Sequence, residues 1–298
     1  MNQNQYNPAF RLAVSYIDKS RDFYAAQGYK IPYRWAINDQ VPFQKLTKPL
    51  SESNVGLVTT ASLPDPEISL NFDPGILQIG STYKFSSSPT PKALYTMDRS
   101  WHKKATHTDD LGSFFPLDHL KSLVEQKIIK SVSNHFYGAP TDYSQRKTNE
   151  TIATEISNYM KKDNVDVAIL VPLWPVCHQT VSLIARHLES NNIPTVIIGS
   201  AKDIVEQCGV PRFIFSDFPL GNPVGKPYDT DMQIKITKMA LTLLEEAKYP
   251  RTSIQTPFSW HTHEWRETYM EVNESNRELL ARAGEIRRAR QIKGKDTN

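Results

Sequence analysis

A chain of 298 residues, 39% hydrophobic and 22% charged, is a folded globular protein with enough length for one large or two ordinary domains. A net charge of +3 argues for neither a nucleic-acid nor a membrane partner; no apolar run approaches a bilayer span, and Met1–Tyr6 has neither region of a signal peptide. Two cysteines without a CxxC exclude a disulfide framework and point to reduced thiols in the cytoplasm.

In chain order, the pattern predicts a helix over 12–27, carrying Val14, Ile17, Phe23 and Tyr24. A Pro- and aromatic-rich connector follows, from Ile31 to Leu50. Residues 54–61 are the first strand, and 62–76, with Pro64, Pro66 and Pro74, are loop. Ile76–Ile79 and Lys84–Phe85 are expected to pair as short strands. Residues 95–116 are polar, hold His102, His107, Asp109 and Asp110, and read as a long loop over the sheet. A helix over 117–125, a strand over 128–132, a loop over 137–143 and an amphipathic helix over 148–161 come next.

Val165 to Val171 is a continuous β-branched run, the pattern of a strand buried on both faces. Pro172 and Pro175 end it, and Val181, Ile184, Ala185 and Leu188 then recur at helical spacing. Ile193 to Gly199 is a second buried strand, so the unit is βαβ and its sheet parallel. Beyond it the pattern predicts a helix over 201–207, a strand over 210–216, a Gly/Pro loop from Asp217 to Asp229 and a helix over 232–247. One long helix is expected over 264–290, with Trp265, Tyr269, Leu279 and Leu280 as its apolar side and a solvated basic face. The predicted fold class is therefore α/β, a mainly parallel sheet flanked by helices with a long C-terminal helix. Three segments are expected: 1–145, 146–258 with the cysteine motif, and 259–298 as a helical extension.

Ligands of parallel sheets sit at the carboxyl ends of strands. Trp174, Cys177 and His178 fall there, and Asp217 and Asn222 follow the next such strand end, so the five are expected to line one cleft. A cysteine at a helix start has its thiolate favoured by free N–H groups and the dipole, and His178 is a neighbouring proton carrier. The alternative is a cysteine that only packs. Lys226 with Gly221 and Gly225 suits an anionic ligand, or is a plain rim loop without the spacing of a nucleotide motif. His102, His107, Asp109, Asp110, His261 and His263 match no metal motif, so no metal is expected. Cys208 reads as packing.

Pro175-Val-Cys177-His178-Gln179-Thr180, Ala185-Arg-His187, Gly199-Ser-Ala201, Gly209-Val-Pro-Arg212-Phe213 and Asp217-Phe-Pro-Leu-Gly-Asn222-Pro223 together resemble the type B, selenoprotein B-like subunits of the glycine/sarcosine/betaine/D-proline reductase family. The similarity continues upstream in residues 55–61, Asp98–His102, His107–Asp110 and Thr141–Ser144, and is strongest over roughly residues 50–235. The resemblance implies a thiol- or selenol-dependent reductive cleavage of an amino acid or related amine. It further implies a dithiol carrier protein as electron donor and allows other reductase subunits as partners. It implies catalytic roles at Cys177, Trp174 and His178, and substrate contacts at Thr180, Asp217, Asn222 and Lys226.

One residue departs from the pattern. The family has selenocysteine or cysteine three residues before the motif cysteine, and here Trp174 stands there. Either Trp174 is native, leaving a single thiol, or a UGA codon encodes selenocysteine at this position; no other cofactor is expected. Two further readings follow: a non-catalytic ligand-binding or scaffold relative that lost the leading nucleophile, and a cofactor-independent racemase-like enzyme with Cys208 as its second thiol.

Overall fold

The computed structural model describes residues 13–63, 82–96 and 101–295, with side chains to residue 289. Among these residues the strands are β1 (Asn54–Thr59), β2 (Tyr83–Ser86), β3 (Ser131–Val132), β4 (His135–Gly138), β5 (Val167–Val171), β6 (Thr195–Gly199), β7 (Arg212–Phe215) and β8 (Thr252–Gln255). The helices are α1 (Tyr16–Ala26), α2 (Leu117–Glu125), α3 (Gln145–Lys147), α4 (Ala153–Lys162), α5 (Pro175–Ser190), α6 (Lys202–Cys208), α7 (Thr230–Glu246), α8 (Trp265–Thr268) and α9 (Arg277–Lys295). The strands form one sheet in the order β2–β4–β1–β5–β6–β7–β8, with β3 also on β1. Every pairing is parallel except β2 with β4. The expected α/β class holds.

Alternation explains the two-sided burial. Val55, Leu57, Val167, Ile169, Val171, Val196, Ile198 and Ile214 face one core with α2 and α7. Val58, Ala168, Leu170, Ile197 and Phe213 face the other, against α4 and α5. Each large aliphatic side chain so buried contributes about 1.5–3 kcal/mol. Strands from residues 1–145 and from 146–258 share this sheet through the β1–β5 ladder, which pairs Val55 with Val167 and Thr59 with Val171.

Four local expectations need correction. Residues 137–143 are not all loop, because Tyr137 and Gly138 belong to β4, which lies between β1 and β2. The helix expected over 148–161 starts earlier, at α3, and passes through a π-helical turn over Thr148–Ile152 before α4. The strand β8 was not anticipated. The single helix over 264–290 is broken: α8 stops at Thr268, Met270 has φ 47°, and α9 starts only at Arg277. Between them Asn273 Oδ1 accepts from the Asn276 N–H at 3.1 Å and from the Ser275 hydroxyl at 2.7 Å, side-chain bonds that compete with helix. Lys84 and Phe85 lie in β2 against β4, while their expected partner, residues 76–79, lies outside the described residues.

Candidate functional site

The site begins where β5 becomes α5. Trp174 is extended (φ −124°, ψ 171°) and Pro175 takes the first helical position, where its fixed φ fits and its missing N–H leaves no bond unmade. His178 fastens this turn. Its Nδ1 lies 2.6 Å from the Trp174 carbonyl, and its Nε2 is 3.0 Å from the Ser200 N–H. The acceptor at one nitrogen and the donor at the other fix the tautomer with the proton on Nδ1. Complete burial pushes the imidazole down to about 4, so it is neutral at pH 7. Gly199 makes room for the ring: a Cβ there would stand 2.9 Å from His178 Cδ2. Both nitrogens of His178 are engaged by backbone.

Cys177 is fully buried, and its Sγ lies 2.8 Å from Thr141 Oγ1. The dipole-lowered thiol expected from position does not hold, because burial pushes the thiol up. The hydroxyls of Thr141 and Thr60 and the backbone at Trp174 and Leu173 act against that rise. Several polar groups thus converge on one sulfur.

Above this turn lies a cavity of about 510 Å³. Trp174, Pro175, Val176 and Thr141 form its floor, so Thr141 touches both the cavity and the buried sulfur. Its walls come from α1 and the connector, with Tyr24, Tyr29, Tyr33 and Trp35, and Tyr143 closes one side. The connector is held by α5. Gln179 Nε2 donates to Tyr33 Oη at 2.6 Å, and Gln179 Oε1 accepts from the Ala36 N–H at 2.7 Å. Asp203 holds α1 by accepting from the Ile17 N–H at 2.8 Å.

Of the five residues expected in one cleft, Trp174 lines this cavity, Cys177 sits beneath it, and His178 lies behind the turn. Asp217 and Asn222 are elsewhere. Asp217 is ion-paired with Arg266, both nearly buried, and that guanidinium stacks 4.4 Å from the Trp265 ring centre. Asn222 stitches two loops: it accepts from the Thr106 hydroxyl at 2.6 Å and donates to the His107 carbonyl at 2.9 Å and Ser113 Oγ at 2.7 Å. The carbonyl of Lys226 accepts from Gln233 Nε2 in the same assembly. Thr180 donates back to the Val176 carbonyl within α5 at 3.1 Å. Cys208 packs in a separate cluster with Ala36 and Leu183, its thiol pushed up to about 12 by burial.

The aromatic wall was not read from the sequence as a site. Its signals were present in the Pro- and aromatic-rich connector and in Thr141–Ser144, yet nothing local says that they meet. Arg266, the partner of Asp217, had no signal at all.

No family model and no solved structure matches the chain. Two curated proteins are similar to it. The D-proline reductase subunit gamma of Acetoanaerobium sticklandii is 26% identical over 223 residues, 72% of this chain and 88% of the relative. The glycine reductase complex component B subunit gamma of Symbiobacterium thermophilum is 23% identical over 216 residues, 67% of this chain and 47% of the relative's length. Together with the motif run from Pro175 to Asn222, these relatives make the chain similar to the gamma subunits of the D-proline and glycine reductases.

Proposed function

We propose that the chain is a subunit of a cytoplasmic reductase complex of the D-proline and glycine reductase type, and that Cys177 is its working thiol. The observation that carries this reading is the placement of the Cys177 sulfur: it lies at the start of α5, against Thr141, under a cavity of ligand size. In the proposed reaction the Cys177 sulfur attacks the substrate carbon. An S–C bond forms, and the C–N bond breaks with its electron pair going to nitrogen, which takes a proton and leaves. One thiol of a dithiol carrier protein then attacks the Cys177 sulfur. An S–S bond forms, and the carbon leaves with the S–C pair and takes a proton. The carrier's second thiol closes the carrier disulfide and frees Cys177. The carrier is oxidised by two electrons and the substrate carbon is reduced by two.

His178 positions this turn, and its neutrality supports a structural part in it. Codon 174 decides between two versions of the chemistry. UGG leaves Cys177 to act alone; UGA supplies a selenol three residues ahead of it. The separate cluster that holds Cys208 weighs against a two-thiol racemase.

The test is purification of the complex from its native host, followed by amine release from candidate amino acids with a dithiol as the reductant. Turnover that Cys177→Ala abolishes supports the reading. Undiminished turnover in that variant refutes it, and a complex inert toward every dithiol favours the scaffold alternative.

A further inference from the structure

We propose that the cavity over α5 binds a carboxylate with a bulky, flat apolar body, of the size of an aromatic amino acid; this rests on its being the substrate site of the reading above. A volume of about 510 Å³ falls in the range of pockets that enclose ligands much larger than glycine or proline, either of which leaves most of the space to water.

The walls set the shape. Tyr33 packs edge-to-face on Trp35, with centroids 5.0 Å apart at 88°, and on Tyr143, at 5.5 Å and 85°. Tyr33 Oη accepts from Gln179 at 2.6 Å and donates to the Tyr143 carbonyl at 2.8 Å. Its ring is therefore fixed before any ligand arrives, and such arrays receive planar apolar groups.

The polar atoms set the other end of the ligand. Two cavity-lining residues, Trp174 and Tyr29, bury a polar atom without a hydrogen-bond partner: Trp174 Nε1, in a side chain 5% exposed, and Tyr29 Oη. An indole N–H only donates and a phenol donates readily, so the complementary group is an acceptor. Charge points the same way. Arg21 is engaged by Asp18 at 2.7 Å and by Asp22 at 3.1 Å, whereas Lys30 makes no ion pair among the described residues. Lys30 is thus the lining cation left without an ion pair among the described residues, while the lining carboxylate Asp22 is paired with Arg21.

Calorimetry on the full chain tests this with phenylalanine and phenylacetate as probes, against glycine, D-proline, glycine betaine and acetate. The aromatic acids should bind at one site at least tenfold tighter than the four small compounds. Tyr29→Phe and Trp174→Phe keep the rings and remove one donor each, and each should weaken that binding roughly tenfold, the loss expected for a hydrogen bond to a charged acceptor. A small compound binding as tightly as the aromatic acids, no binding of either aromatic acid, or unchanged affinity in both variants overturns the inference. Dithiol-dependent turnover is measured separately. Its absence with aromatic binding intact sinks the reductase reading alone, and turnover without aromatic binding sinks this inference alone.

Discussion

The hydroxyl of Thr141, from the stretch after β4, stands 2.8 Å from the sulfur of Cys177, on the first turn of α5. Burial raises the thiol, and this hydroxyl is the largest influence opposing the rise. Thr141→Val should therefore raise the Cys177 pKa further, since it removes a hydrogen bond that favours the thiolate. The pH dependence of iodoacetamide labelling, followed by intact mass, reads this directly. Cys177 should label before Cys208 in both proteins, because burial pushes Cys208 up to about 12 in spite of Arg186, Ser182 and Arg251 beside it. Equal labelling rates for the two thiols would leave Cys177 as a packing residue.

His178 sets a pH limit on stability. Its imidazole is held at about 4 when folded and returns to about 6.5 when unfolded. Protons therefore bind the unfolded chain first as pH falls. The stabilisation is complete above about pH 6.5 and is lost toward pH 4, by about 3 kcal/mol in total. His178→Gln, which cannot titrate, should flatten the difference in urea midpoint between pH 7 and pH 4.5. The same pH slope in both proteins would show that another group carries it.

Trp174→Cys places a thiol at the N-cap of α5, three residues before Cys177. With oxidised glutathione the parent protein should keep a stable adduct on Cys177. The variant should resolve it to an internal disulfide, visible as loss of the glutathione mass and of two thiols. An adduct that persists in the variant would show that the two positions do not meet.

The Asp217–Arg266 pair should behave as a buried pair does. Removing one partner of such a buried pair costs about 3–5 kcal/mol. Arg266→Met and Asp217→Asn should each lower the unfolding midpoint sharply, and the double variant should lose less than their sum. Additive losses in that cycle would mean that the two side chains are not coupled.

Much of the fold was legible because burial and period agree. Val167, Ile169 and Val171 alternate with Ala168 and Leu170 between two cores, and no other element satisfies such a run. Tyr137 was misread because Gly138 and Pro140 mark a turn locally, whereas β1 and β2 on either side make it strand. The start of α5 was legible, and so was the presence of Cys177 there. The state of its thiol was not, because desolvation depends on what covers the sulfur, and that cover comes from distant segments. The aromatic wall was hidden for the same reason. Tyr33 and the Tyr143 carbonyl that accepts its hydrogen bond are separated by 110 positions in the chain.

Those distant closures govern when the site comes into being. The cavity needs α1 on one side and Met270 on another. Lys19 of α1 donates to the carbonyl of Glu267, 248 positions away, and Arg288 of α9 donates to that of Gln27, 261 positions away. During synthesis α1 emerges early, meets Asp203 of α6 once that helix has formed, and gains its last two partners only when nearly the whole chain has left the ribosome. The central strands β1, β5, β6 and β7 can pair before then. The cavity beside Cys177 is therefore completed only when Met270 and the last helix reach α1.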